Sequence, residues 1–246
     1  MTLVAADDRE RGQIVLERGT IEGVDFHKAA FEQITPTACL FVDCDFSGLV
    51  FDARYAALFG SRMQSVFRSC RFDGADLRKS GPGQSRFEGC SFDEAMLDGW
   101  TSLAGEFIDC TFSGTIRKAK FHGRPHGALA SALAPARTQN EFRGNDLSRV
   151  RLVDTSFVHG IAFDGQRWPE GGEERLDHIQ QRLERARLEV MRQSAEARAP
   201  AVALLMHLGS VYGEQRELLR AQYDGSTSTV PPELRSSVWA LLTRTP

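Results

Sequence analysis

Phenylalanine recurs every five residues through the first two-thirds of this chain, and no ordinary secondary structure has that period. The segments 65–84 (SVFRSCRFDGADLRKSGPGQ) and 85–104 (SRFEGCSFDEAMLDGWTSLA) align Phe67 with Phe87, Phe72 with Phe92 and Leu77 with Leu97. Residues 105–123 bring Phe107 and Phe112 into the same columns. Residues 39–53 bring Phe41, Phe46 and Phe51, and residues 19–33 bring Ile21, Phe26 and Phe31. Residues 140–160 add Phe142, Leu147, Leu152 and Phe157. Four fives make a second period of twenty. An α-helix repeats at 3.6 residues and a strand at 2.0, so neither accounts for five. A coil with four sides does, if each side is one pentapeptide whose central residue points inward. The chain holds 16 Phe against 3 Trp and 3 Tyr; all but Phe59 and Phe163 sit at repeat centres.

The residue two before each centre also points inward on this reading, and it must be small. Gly19, Cys39, Ser65, Ser85, Gly105 and Asn140 hold that slot on the first side. Val24, Cys44, Cys70, Cys90, Cys110 and Asn145 hold it on the second. All five cysteines occupy such slots, so they read as small apolar fillers. The rival use, a metal or disulfide column through Cys44, Cys70, Cys90 and Cys110, lacks a tetrahedral S/N arrangement. Five Cys in 246 residues is no disulfide scaffold.

ADLRK (75–79), CDFSG (44–48), VDFHK (24–28) and NDLSR (145–149) resemble the motif of the pentapeptide-repeat family. That motif is a small residue, Asp or Asn, Leu or Phe, then two polar residues. The resemblance covers about residues 14–165. It implies a mainly β fold, a right-handed, four-sided parallel β-helix of about six coils. Coils stacked at ~4.8 Å would give a rod about 30 Å long with capped ends. The expected organisation is a β-helix over 1–165 and an α-helical module over 166–246.

The fourth side breaks the rule. Its slots hold Ile34, Arg54, Ser80, Trp100, Ala119 and Thr155, and its centres hold Pro36, Ala56, Pro82, Ser102, Phe121 and Phe157. Arg54 and Trp100 exceed what a narrow dry core accepts. This side is therefore expected to bend outward and to expose an apolar stripe, Ala57, Leu58, Thr101, Leu103 and Ala104, that something covers. Insertions at 54–64 and 124–139 fall on or beside it, and the Ala-rich part of the second reads as a short helix. Insertions in solenoids often line a binding face; a tolerated surface loop is the plain alternative.

After Gly165 the period stops, and QRWPEGG (166–172) reads as a linker. Residues 173–199 read as one long helix, with Leu176, Ile179, Leu183, Ala186 and Val190 in a narrow 3-4 seam. Pro200 is expected to start a second helix over 201–223, and Pro231 a last one over 231–244. The family resemblance implies a C-terminal helix that caps the β-helix and mediates a homodimer. Two uses of the helices follow. They cover Trp100, Leu103 and Leu58 on the fourth side, or they dimerise through Leu176, Ile179, Leu183 and Val190.

Net charge is −3, from 30 basic and 33 acidic residues, which disfavours direct nucleic-acid binding. No apolar run is long enough for a membrane span, and the N-terminus lacks a signal-peptide core, so a cytoplasmic setting is the expectation. The six His form no HExxH; Pro125 stands between His122 and His126, which argues against a helical metal pair. No phosphate loop or Gly-x-Ser-x-Gly turn occurs. No cofactor is implied and no enzyme is expected; an enzyme would need a small-molecule pocket between the helices and the rod.

The expected role is a protein–protein interaction. Within the resembled family, some quinolone-resistance proteins mimic duplex DNA and engage gyrase or topoisomerase IV, so a type II topoisomerase is a candidate partner. Twelve carboxylates against six cations lie on the first two sides here. The candidate acidic face is Asp25, Asp45, Asp73, Asp93, Glu94, Asp146, Glu88, Glu106 and Asp109. The plain alternative is that these charges keep a β-rod soluble.

Overall fold

A triplet centred on an inward residue is too short to stand as a strand alone, and it persists because the same triplet one coil away pairs with it. The computed structural model describes residues 4–5, 13–27, 33–50, 59, 63–78, 81–171, 174–192, 194–220 and 230–244. In one six-stranded parallel sheet Ile21 lies opposite Phe41, Phe41 opposite Phe67, Phe67 opposite Phe87, Phe87 opposite Phe107, and Phe107 opposite Phe142. A second sheet registers Phe92 with Phe112 and Ile116 with Leu152. A third registers Ser102 with Phe121 and Phe121 with Phe157. The described residues are mainly β, with parallel ladders and three α-helices.

Register puts like rings over like rings. Phe26, Phe46, Phe72, Phe92 and Phe112 stack at centroid distances of 4.6–5.0 Å within 9° of parallel. Phe41, Phe67, Phe87 and Phe107 form a second column at 4.6–5.2 Å. Across the axis the columns meet edge-on, as Phe72 and Phe87 do at 5.6 Å and 81°, the geometry that suits ring quadrupoles. The cysteines line the wall between. The thiols of Cys44, Cys90 and Cys110 donate to carbonyls one coil back, Cys44 Sγ to Ile21 O at 3.5 Å, Cys90 Sγ to Phe67 O at 3.3 Å and Cys110 Sγ to Phe87 O at 3.5 Å. Asn145 continues the column with a stronger donor, Nδ2 to Phe107 O at 3.0 Å.

The expected outward bend at Trp100 does not occur. Trp100 is fully buried among Phe92, Phe107 and Phe121. The reason is an exchange of sizes within one pentapeptide: Trp fills the slot where a small residue is the rule, and Ser102 stands at the centre where a ring is the rule. Two coils earlier Phe59, from the first insertion, does a similar job, meeting Phe67, Phe72 and Phe87 edge-on. Of the expected apolar stripe, Ala104 is buried, Leu103 is half-buried and Thr101 is exposed. Arg54, Ala57 and Leu58 lie outside the described residues. The second insertion carries one short 3-10 turn, Gly127–Ser131.

Past the repeat, the single helix expected over 173–199 is interrupted. Glu174–Leu176 is a strand, antiparallel to Leu218–Arg220, and α1 spans only Ile179–Val190. Helix α2, Ala195–Tyr212, begins before Pro200 and carries it near its start. Helix α3, Pro232–Thr243, opens on Pro at its first position, where no backbone donor is needed. Leu176, Ile179, Leu183 and Val190 pack against Leu205, Leu218, Val238 and Leu242 of the same chain. The seam expected to serve a dimer is thus consumed internally. Buried Arg182 locks it, donating to Asp177 Oδ1 at 2.7 Å and to Leu242 O at 2.9 Å. Among the described residues no helix is long and apolar enough to cross a membrane.

Candidate functional site

The outward positions of the first two sides form ladders, one rung per coil, so each carboxylate faces whatever its neighbouring coils present. Arg71 spans Asp45 at 3.5 Å and Asp73 at 3.3 Å. Arg149 reaches Asp93 at 2.8 Å, Arg167 reaches Asp146 at 3.4 Å, and Glu88 lies between Arg68 and Arg86 at 2.9 and 2.6 Å. Asp146 is held below the usual carboxylate range by bonds from Ser148 and by Arg167. Asp109 stands 3.9 Å from Arg143 and is largely exposed. Asp25 accepts the His27 N–H at 2.8 Å, and Glu94 is exposed beside Ser113.

Glu106 does not belong to that face. Only 4% exposed, it accepts from Gln64 Nε2 at 2.7 Å and from the Glu141 N–H at 3.0 Å, with Arg86 at 3.4 Å and Arg137 at 3.7 Å. The second insertion folds over it: Arg137 comes from that loop, and Gln84 fixes the loop by accepting the Ala134 N–H. The face as a whole is acidic by position but largely compensated by arginine.

A separate cluster lies where the fourth side, the second insertion and α2 meet. His122 ends the strand Lys120–His122, in register with Val158, and His159 follows at the next corner with φ 55°. His126 starts the insertion, its N–H bonded to Leu103 O at 3.2 Å. Asn140, at the far end of the insertion, donates to His122 O at 2.8 Å and to Leu103 O at 3.2 Å. The His159 N–H donates to Val211 O of α2 at 3.1 Å. Gly123 permits this approach: a Cβ there would lie 2.5 Å from Ile161 N and 2.8 Å from His159 O.

The three imidazole centroids form a near-equilateral triangle with sides of 4.9–5.0 Å. One nitrogen from each ring lies within 4.8 Å of the other two. His122 is 4% exposed, and neither of its ring nitrogens has a hydrogen-bond partner; His159 Nδ1 is likewise buried and unpartnered. Burial, reinforced by the neighbouring His159 and His126, pushes the His122 pKa down to about 3, so that ring is neutral. Burial lowers His159 too. The triangle opens on a cleft of about 510 Å³ that Leu103 and His207 also line. Leu103 and residues His207, Ser210 and Val211 of α2 line this cleft together, and Trp100 is not among its lining residues. Sequence spacing misses His159, which joins the pair only through the coil register.

A second cleft, about 350 Å³, lies between Asp154–Ser156 and helices α2 and α3, lined by Leu204, Leu208, Tyr212 and Trp239. Its walls are mostly aliphatic and aromatic, and burial pushes Tyr212 up to about 12.

No protein-family model matches the chain, and no characterised protein sequence does. Among solved structures, full-length QnrB1, described as a plasmid-mediated fluoroquinolone resistance protein, is similar at a TM-score of 0.22 and 14% identity. The match covers 63% of this chain and 81% of that one. A trypsin-treated form matches over the same shares at a TM-score of 0.20 and 15% identity. Scores of that size do not establish a common fold.

Proposed function

We propose that the chain is a non-catalytic protein-binding rod. In this reading residues 1–165 are a right-handed, four-sided β-helix of the pentapeptide-repeat kind, its outer walls meet a protein partner, and residues 166–246 close one end. One observation carries it: Phe41, Phe46, Phe67, Phe72, Phe87, Phe92 and Phe107 are all fully buried, so the repeat region is filled to its axis. A filled interior leaves the walls as the working surface, and their charged rungs repeat at the strand spacing of ~4.8 Å. The setting proposed is the cytoplasm, where five unpaired thiols stay reduced. The reading requires no cofactor.

A photo-crosslinking residue placed at position 25, 94 or 109 in the native host tests this. A discrete adduct with one protein is expected from wall positions and not from exposed Leu188 on α1. No adduct from any wall position would overturn the reading.

The exposed carboxylates that remain on the two adjacent sides, Asp25, Glu94 and Asp109, favour a second reading, a duplex mimic directed at a type II topoisomerase. It expects purified protein to inhibit gyrase supercoiling at micromolar concentration, and Asp25→Asn, Glu94→Gln and Asp109→Asn together to relieve the inhibition. Absence of inhibition removes it.

A further inference from the structure

We propose that His122, His126 and His159 form a binding site for one divalent transition-metal ion of the zinc, nickel or copper class. Three separate segments supply the ligands: a strand end, the base of the second insertion, and the next coil's corner. Each is pinned by backbone bonds that do not involve the rings, namely those to Leu103 O, from Asn140, and to Val211 O. The rings are thus brought together by the fold rather than by attraction among themselves.

Their surroundings fit a ligand set. A buried imidazole normally finds a partner for its N–H and its lone pair. His122 is buried with neither, and His159 Nδ1 adds a third such atom in the same cluster. Nitrogens bound ~2.0–2.1 Å from a tetrahedral zinc stand about 3.3 Å apart. The present separations, within 4.8 Å, close to that by small side-chain shifts. Neutral nitrogen donors with no carboxylate among them select imidazole-preferring metals over magnesium or calcium. Two cations, Lys120 and Arg124, line the cleft, and Arg124 is paired with Glu214 of the α2 exit at 2.6 Å, which reduces its repulsion of an incoming ion. Three ligands leave a fourth position open toward the cleft. An ion there would clasp the insertion and the last coils together where α2 touches them.

The test uses the full chain, stripped with EDTA, exchanged into chelator-free buffer, and titrated with zinc chloride by calorimetry, with cobalt(II) as a visible reporter. One ion per chain is expected, with micromolar or tighter affinity, a raised melting temperature, and cobalt d–d bands without thiolate charge transfer. His126 is exposed, so His126→Gln should fold as the parent does. It and His159→Gln should each weaken binding by about 10-fold or more, while His27→Gln leaves it unchanged. Three results would each overturn the site: no zinc binding, unchanged affinity in both variants, or a cobalt–thiolate band placing the ion on the cysteines.

Discussion

Trp100 and Ser102 exchange the usual sizes of a slot and a centre, and that exchange predicts a rescue. Trp100 is fully buried, and a tryptophan buries ~150–250 Å². At ~25 cal/mol per Å² its removal forfeits about 4–6 kcal/mol, close to the ~3–5 kcal/mol typical of large-to-Ala core changes. Ser102→Phe alone adds a ring beside Trp100 and should cost ~1–3 kcal/mol by overpacking. Made together, Trp100→Ala and Ser102→Phe restore the ordinary pattern, with the introduced ring at position 102 in register with Phe121 as Phe121 is with Phe157. Each single already removes its own unpartnered buried polar atom, Trp100 Nε1 or Ser102 Oγ, so those terms cancel in the cycle, and the coupling comes from the ring at 102 filling the space Trp100 leaves. The double variant should therefore lie at least about 2 kcal/mol above the sum of the singles. Urea unfolding followed by circular dichroism gives the cycle from midpoints and slopes. Additivity within ~0.5 kcal/mol would refute the compensation.

Gly123→Ala should destabilise by ~1–3 kcal/mol, because its Cβ would strike the backbone at 159–161, whereas Gly19→Ala, with open space around it, should be neutral in a thermal melt. Glu106→Gln should cost about 3 kcal/mol by leaving half-buried Arg137 without its counter-charge, although Arg86 keeps Glu88 and Glu141, while exposed Glu94→Gln stays within ~0.5 kcal/mol in the same urea assay. Bonds from Arg78 hold the Asp76 carboxyl below its usual range. The unfolded chain therefore takes up that proton first, so the contribution is complete above about pH 5 and is lost as pH falls through the folded pKa. Asp76→Asn should flatten the acid limb of stability against pH.

Much of the fold is legible because the repeat is a local rule. Phe67, Phe87 and Phe107 align by counting fives, and the structure stacks them; Cys70, Cys90 and Cys110 follow from the slot rule. Trp100 escapes the rule because the rule treats slot and centre separately, while packing sees only their summed volume. The helical seam Leu176–Val190 is visible in the sequence, but a 3-4 spacing does not say whether its partner is another chain or Leu205, Val238 and Leu242 of this one. Glu106 looks outward by its position and is buried by a loop whose path no period encodes. The histidine triangle is hidden for a related reason. His122 and His126 are near neighbours, but His159 arrives through one coil plus an insertion. Aligning the fourth side across that insertion, with Phe121 over Phe157, is the signal that can find it.

The proposed function requires that the five-residue register point its slots inward. Thiol reactivity measures this directly. Cys39, Cys44, Cys70, Cys90 and Cys110 are each at most 3% exposed. Treated with an aromatic disulfide reagent, the native protein should release no chromophore beyond its rate of unfolding, and the denatured chain should release five equivalents. Rapid labelling of Cys70, Cys90 or Cys110 in the native state would contradict the register, and with it the placement of every wall residue named above.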